Sequence, residues 1–497
     1  MASNDRTPVI VGAADWTAPR GPDGPPSPTI TEMLVSVARA AVHDAGSSSA
    51  MLGSGDALVL VPCVYNDTAD RAAAVAASLG VEPRIGVMTS YGGDAGLTAV
   101  NWAAEAIEAG QIDVAILAGG QLRLPAPEAD LPAGGAPADR RKVGDQRFGF
   151  SESEGRHGAL LPHATYAMVE TALRARHDLP IDEHRKMMGE LMSPLSAVAA
   201  CNANAWFPVE RSPDELATPT AANRMVSYPY TKYFNAVTTD QAAALVMMSA
   251  TKADGLGIAR DRRAYWWGGD GEVETAWFFS SRPDYAECPA MQLAQRGALA
   301  RAGITLDRVD GFDFYSCFPS AVQMAQDMAG LARFDGRPLT LTGGLPYAGG
   351  PGAAYTLVAA AAALEQVRTE PHKVLMLSGT GFTFTKNSVS VLSGRPRPPR
   401  DEAAPERRTD LERTPAPVDD EPTGRGRVDA YTVMHDRSGD VEYGVVLGML
   451  DRGERFLAHL PRDAAVYRSF EEREGVGRVG VVSPGARGEP NRFEPEE

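Results

Sequence analysis

Between residues 8 and 118 the chain alternates two kinds of hydrophobic pattern. Continuous apolar runs at 8–12 (PVIVG), 56–62 (DALVLVP), 85–90 and 113–118 (DVAILA) have the length and branched content of buried strands. Between them, apolar positions recur every three or four residues, which predicts helices over 29–44, 70–79 and 95–110. Thr29 or Thr31 is placed to cap the first helix and Gly46 to end it. Strands separated by helices predict a parallel sheet covered by helices.

From Leu122 to Gly158 the pattern is lost in a stretch rich in Pro, Gly and charge, which reads as a surface loop. Its DRRK run at 139–142 is read as facing water. Helical periodicity returns over 161–177 and 182–192. A loop containing SYPYTKYFN follows, then an apolar strand over 240–249. Past Lys252 the first pattern starts again. A helix ends at Ala302-Gly303, a strand is predicted over 309–317, and a Gly-rich turn feeds an Ala-rich helix over 352–367. Cys317 stands to its strand as Cys63 does to the earlier one, and KVLMLSG at 373–379 echoes DVAILAG at 113–119. Landmarks recurring at nearly one long offset mean two similar α/β halves rather than a solenoid. Residues 395–427 are rich in Pro and charge and predict an exposed, partly disordered linker. Beyond them strands are predicted over 428–434, 442–450, 456–460 and 477–482, which together form a small all-β unit. That unit is short for an independent core and is expected to pack on the main body.

Composition narrows the function classes. The formal net charge of −16 disfavours nucleic acid and anionic membranes as partners. Cys63, Cys201, Cys288 and Cys317 form no CxxC pair and have no nearby His at zinc spacing, so neither a disulfide framework nor a metal site is expected. Free thiols, an N-terminus unlike a signal peptide and no apolar run of membrane-spanning length lead to the expectation of a cytoplasmic protein. No phosphate-binding loop, HExxH or GxSxG occurs, and GGPGAAY at 349–355 is not the GxGxxG dinucleotide fingerprint and does not sit in a first βαβ unit. His157 and His163 lie near the loop and could reach a pocket, but are read first as surface histidines. Trp266, Trp267 and the methionine pairs are read as core.

Two similar halves, each with a Gly-rich turn ahead of a buried helix, resemble the thiolase superfamily over about residues 6–395. FDFYSCFPSAV at 312–322 and TGGLPYAGGPGAAY at 342–355 carry the resemblance most specifically. It is nearest to the sterol-carrier-type thiolases and to the type 1 thiolase-like proteins, whose added C-terminal domain is OB-like. The implied fold is α/β, with two βαβ halves in five layers and a small all-β C-terminal domain. The implied boundaries are 1–121 with 235–255 for the first half, 122–234 for an insertion, and 256–395 for the second half. A linker over 396–427 and an OB-like domain over 428–497 complete the chain.

Thiolases place a nucleophilic Cys at the N-terminus of a buried helix, where helix-end amides favour the thiolate. In this chain SYGGDAGLTAV aligns Gly93 with that position, and Asp94 is read as a helix cap. The family's H-D-C-F corresponds to Tyr315-Ser316-Cys317-Phe318. By resemblance Cys317 is an acid/base, and Tyr315 replaces the oxyanion-hole His. The G-H-P motif becomes Gly349-Gly350-Pro351, so Gly350 stands where that His would be. The C-x-G motif corresponds to Ser378-Gly379. Ser316, Gly343, Gly344, Tyr347, Gly349, Ser378 and Gly379 are thereby implied to meet a CoA thioester. Each feature also has a packing reading: a buried thiol at Cys317, a core aromatic at Tyr315, turn geometry at the glycine pairs.

The resemblance implies an acyl-CoA-binding protein in thioester and lipid metabolism, of a fold usually named acetyl-CoA acetyltransferase. It also implies that ordinary two-step thiolase chemistry is lost with the nucleophile. A retro-aldol lyase acting on an acyl-CoA is the alternative, with Tyr315, Tyr347 or Tyr355 as base and Cys317 as proton donor. A scaffold that binds a protein partner through its C-terminal domain is the third reading. No cofactor beyond the thioester ligand is implied. The chain is expected as a monomer or a homodimer.

Overall fold

The computed structural model describes residues 6–19, 26–46, 56–63, 71–127, 137, 139–407 and 414–496. Ten strands form the main sheet: β1 (Pro8–Thr17), β2 (Ala57–Leu60), β3 (Ile85–Thr89), β4 (Val114–Gln121), β5 (Asp139–Val143), β8 (Gln241–Ser249), β9 (Ala264–Val273), β10 (Gly311–Asp313), β11 (Val374–Gly381) and β12 (Lys386–Ser393). Their order is β10-β11-β12-β9-β1-β8-β4-β2-β3-β5. The expected repeat is visible in this order. In the first half β2 lies parallel to β4, β4 antiparallel to β8, and β8 antiparallel to β1. In the second half β10, β11, β12 and β9 repeat those relations as a mirror order. The halves join through Val9–Tyr265 and Ile10–Ala264.

Strand residues are apolar on both faces because both faces are covered. Val114, Ile116 and Ala118 of β4 enter one core, and Ala115 and Leu117 enter the other. The second core holds the central helices α3 (Ala95–Glu108) and α8 (Tyr355–Thr369), with α1 (Ile30–Asp44) and α2 (Arg71–Leu79) preceding them in the chain. On the outer faces, α1 packs on β1, β4 and β8, and α6 (Pro289–Ala302) packs on β9 and β12. The result is helix, sheet, paired helices, sheet, helix. Small residues set the central spacing: a Cβ on Gly96 of α3 would stand 2.5 Å from Oγ1 of Thr356 and 2.7 Å from the Leu357 amide of α8.

Some elements differ from expectation. The DRRK run is not loop but strand β5, parallel to β3 at the sheet edge, with Arg140 and Lys142 exposed. At the opposite edge, the amides of Phe312 and Phe314 donate to the carbonyls of Pro338 and Leu339 (2.8 and 3.1 Å). The strand expected over 309–317 is only β10, and β9 and β12 were not anticipated. In the insertion, α4 (Pro162–Arg176) matches its pattern. Helix α5 (Ile181–Cys201) runs nine residues past the expected end and through Pro194. Thr29 caps α1 in a reciprocal capping box with Glu32. The expected helix residue Asp70 lies outside the described residues.

In the C-terminal unit, β13 (Gly424–His435) pairs with both β14 (Val441–Leu450) and β16 (Val479–Ser483). With β15 (Arg455–His459) and β17 (Arg492–Pro495) this closes a small five-stranded barrel, as an OB-like unit requires. It is not purely β: α9 (Ala464–Glu472) sends Tyr467 and Phe470 into its core. The barrel is also not self-contained. The insertion strands β6 (Met225–Ser227) and β7 (Tyr230–Thr231) extend its sheet, and Oγ1 of Thr171 on α4 exchanges hydrogen bonds with the backbone of Tyr431 (3.0 and 3.1 Å). His157, expected at the surface, is fully buried in this junction. Its Nδ1 bonds the Ser153 carbonyl (2.7 Å) and its Nε2 accepts from the Asn491 amide (3.0 Å). The first part of the expected linker is also fastened down. Arg397 donates to the carbonyls of Trp267 and Arg301, Arg400 to that of Ala300, and Arg407 pairs with Asp270.

Candidate functional site

A cavity of about 820 Å³ opens between the first turn of α4, the 145–150 loop, the segment 235–238 leading to β8, and the loop after β10. Tyr166, Tyr315, Phe318, Phe382, Phe148 and Leu345 give it apolar walls, and Arg147, Lys232, Asp145 and His163 bring charge or a titratable ring. Its rim carries Phe148 (72% exposed) and Tyr91 (41% exposed). Phe382 anchors the wall from a left-handed backbone (φ 54°), with the rings of Phe150, Trp277, Phe148 and Tyr91 arranged edge-on or tilted around it.

Of the residues singled out in the sequence, Gly93, Tyr315, Cys317 and Gly350 line this cavity. A Cβ on Gly93 would stand 2.5 Å from Cε2 of Tyr315, and nearer still to its Cζ and to the Thr380 carbonyl oxygen. The slot beside Gly93 is therefore filled by a phenol ring and closed by backbone. Gly350 is less confined, and its nearest neighbour would be the Val237 carbonyl at 2.9 Å.

Ser316, Gly343, Gly344, Tyr347, Gly349, Ser378 and Gly379 sit behind the wall and do not line the cavity. Gly343 and Gly349 take left-handed conformations (φ 108° and 117°), and a Cβ on either would collide with Ala199 or Gln241. Oγ of Ser378 accepts from the Tyr315 amide at 3.4 Å, and Oγ of Ser316 from the Leu345 amide at 3.4 Å. Tyr347 and Tyr355 are buried away from the cavity, and burial raises both phenols. Tyr355 donates to Asp313 at 3.0 Å. Asp313 also accepts from Thr340 and from the Leu341 amide, and burial lifts its carboxyl to about 6. This network holds the Gly-rich loop from behind.

Asp94 is not the side-chain cap expected of it. Its backbone is already helical (φ −75°, ψ −18°), and it makes no capping bond. The Leu97 amide at the start of α3 is satisfied by Oγ1 of Thr356 from α8 (3.1 Å). Asp94 instead faces Lys386, 3.6 Å from its Nζ, with both side chains nearly inaccessible. Lys386 also donates to Oγ of Ser90 (2.9 Å) and to the Tyr91 carbonyl (2.5 Å), which fixes the loop carrying Gly92 and Gly93. Burial raises the Asp94 carboxyl, against the pull of Lys386.

Burial pushes the Cys317 thiol up to about 12, so it is a neutral thiol at neutral pH. The Tyr166 phenol lies against that thiol and donates to the Phe382 carbonyl at 2.8 Å. The Tyr315 phenol is raised well above its ordinary value by burial, then by Cys317, Tyr91 and Asp94. It is a hydrogen-bond donor at neutral pH and a poor base. His163, expected at the surface, is half-buried in the cavity wall. The sequence did not single out Tyr166, Phe382 or Lys386. Lys386 opens strand β12, which the sequence did not announce.

Residues 408–486 match the family described as thiolase-like protein type 1 additional C-terminal domain. The crystal structure of a monomeric SCP2-thiolase like protein type 1 from Mycobacterium smegmatis is 32% identical, covers 99% of each chain and has a TM-score of 0.83. The chain belongs to the type 1 thiolase-like proteins. This type 1 protein is also similar in fold to a chain of the Ltp2-ChsH2(DUF35) aldolase (17% identity, 78% of this chain and 98% of that one, TM-score 0.61). An acetyl-CoA acetyltransferase from Syntrophomonas wolfei is comparably similar (17% identity, 79% of this chain and 100% of that one, TM-score 0.58). No curated protein matches the chain.

Proposed function

We propose that this type 1 thiolase-like protein binds an acyl-CoA, or a related thioester, in the cavity beside Gly93 and does not form a covalent acyl-enzyme. The observation that carries the reading is the Tyr315 ring packed on Gly93, where the resemblance to thiolases puts the nucleophile. The size of the cavity and its aromatic walls suit an acyl chain longer than acetyl. Lys232 supplies positive charge for the phosphates of CoA, whereas Arg147 is neutralised by Asp145. Cys317, held as a neutral thiol, suits a proton donor rather than a nucleophile. Ser316, Gly343, Gly344, Tyr347, Gly349, Ser378 and Gly379 support the wall in this reading instead of meeting the ligand.

Calorimetric titration with CoA, acetyl-CoA and a longer acyl-CoA tests it. Micromolar binding, about −8 kcal/mol, is the expected result for the longer thioester. Absence of heat with all three, together with an unshifted melting temperature, overturns the proposal.

Carbon–carbon chemistry without a covalent intermediate is the second reading, and the Tyr315 hydroxyl favours it. Tyr315 lines the cavity, its hydroxyl has no hydrogen-bond partner among the described residues, and in this reading it donates to a developing enolate oxygen. Tyr347 and Tyr355, buried behind the wall, have no place in this reading. A scaffold role through a mobile C-terminal module is disfavoured by the way the barrel is bonded to α4 and to His157.

A further inference from the structure

The chain has eight histidines. Five are tied by ring hydrogen bonds: His157 to Ser153 and Asn491, His177 to Asp327, His184 to Glu170, His435 to Glu471, and His459 to the His157 carbonyl. His43 and His372 are exposed on the surface. His163 differs from all of these. It is the second residue of α4, half-buried, in the wall of the cavity, and its ring has no hydrogen-bond partner among the described residues. Its backbone is fixed, because its carbonyl accepts from Oγ of Ser227 at 2.7 Å. One turn along the same helix face stands Tyr166, whose phenol meets the Cys317 thiol. An unpartnered imidazole, a phenol and a thiol thus follow one another along one wall.

We propose that His163 is the base that removes an α-hydrogen from an acyl thioester held in this cavity, an inference that rests on thioester binding there. The lone pair of the ring takes the proton as the Cα–H bond breaks. The electron pair passes to the thioester carbonyl oxygen, giving an enolate that Tyr315 can hydrogen-bond. Return of the proton from the imidazolium restores the thioester, so the cycle needs no other reactant. The Tyr315 and Cys317 groups, raised by burial, stay protonated, which leaves the imidazole as the neutral acceptor on that wall. Burial, and after it Arg224, holds the imidazole below its ordinary value, so the ring is uncharged at neutral pH. The other charged groups of the cavity are Lys232, Arg147 and Asp145.

The test is exchange of α-hydrogen for deuterium in a longer acyl-CoA, followed by mass spectrometry in D₂O, with affinity measured separately by calorimetry. Wild-type protein is expected to exchange, with a rate that rises with pH and is half-maximal below 6.5. His163→Asn is expected to lose roughly 100-fold in exchange rate, while affinity changes less than about threefold. His163→Gln, with the same expectation, guards against a local folding defect, and both variants are checked by melting temperature. Binding without exchange in the wild type, or exchange at the wild-type rate in both variants, overturns the role of His163 and leaves the binding proposal standing. No binding to any thioester overturns both.

Discussion

The ring of Tyr315 and the α-carbon of Gly93 lie so close that no side chain fits between them, and the Thr380 carbonyl closes the same space from the β11 side. Restoring a cysteine at 93 is therefore not a local change. Gly93→Cys is expected to destabilise the protein by about 2–3 kcal/mol through overpacking. Adding Tyr315→Ala should return only part of that loss, because Thr380 remains. Thermal melts of the two variants check this. A fully stable Gly93→Cys single variant would show that the loop can move aside.

Tyr315→Phe keeps the ring that fills the slot and removes the hydroxyl, which has no hydrogen-bond partner among the described residues. Stability should be unchanged. Affinity for an acyl-CoA should fall by about 1 kcal/mol, roughly fivefold, if the phenol donates to the thioester. Calorimetry on the variant decides it, and equal affinity would remove Tyr315 from the binding surface.

Cysteine reactivity should separate cleanly. Cys201 is exposed, whereas Cys63, Cys288 and Cys317 are buried. Burial also raises the thiols of Cys288 and Cys317. Iodoacetamide at pH 8 is expected to label Cys201 and to spare Cys317 in the native protein. Peptide mapping reads the result, and rapid labelling of Cys317 would contradict a neutral thiol.

His157 gives the barrel junction a pH dependence. Its two ring nitrogens are used by a carbonyl and an amide, a pattern only the neutral ring can make, and burial lowers it from 6.5 to about 4. The unfolded chain therefore takes up this proton first as pH falls. The stabilisation is present above pH 6.5 and is lost between about 6.5 and 4, amounting to about 3 kcal/mol. Chemical unfolding across that range should show the slope, and His157→Gln should flatten it.

Much of the fold was readable because β2, β3, β4, β8 and β11 are apolar on both faces, and such runs announce themselves. Strand β12 did not, since Lys, Asn and Ser interrupt its Val and Leu positions. Those side chains find partners only in three dimensions: Ser388 and Ser390 bond to Asn101, which also takes the indole of Trp266. The helical pattern was lost after 192, yet α5 continues through Pro194 because Leu191, Met192 and Leu195 are packed in the core. At the site, motif spacing singled out Gly93, Tyr315, Cys317 and Gly350, all of which line the cavity. It gave no sign of Tyr166 or Phe382, which come from other segments of the chain. Asp94 has the residue type of a cap, but the job is done by Thr356, some 260 residues away.

Strand β5 closes the outer end of the first half-sheet with a charged ribbon from the same chain. In a two-fold pairing of two such ribbons centred on Arg141, Arg140 of each copy would face Lys142 of the other, and like charges would meet across the seam. Each chain is thus expected to carry its binding site alone. Dilution should leave the activity per molecule unchanged, and the sedimentation coefficient should stay constant as concentration rises.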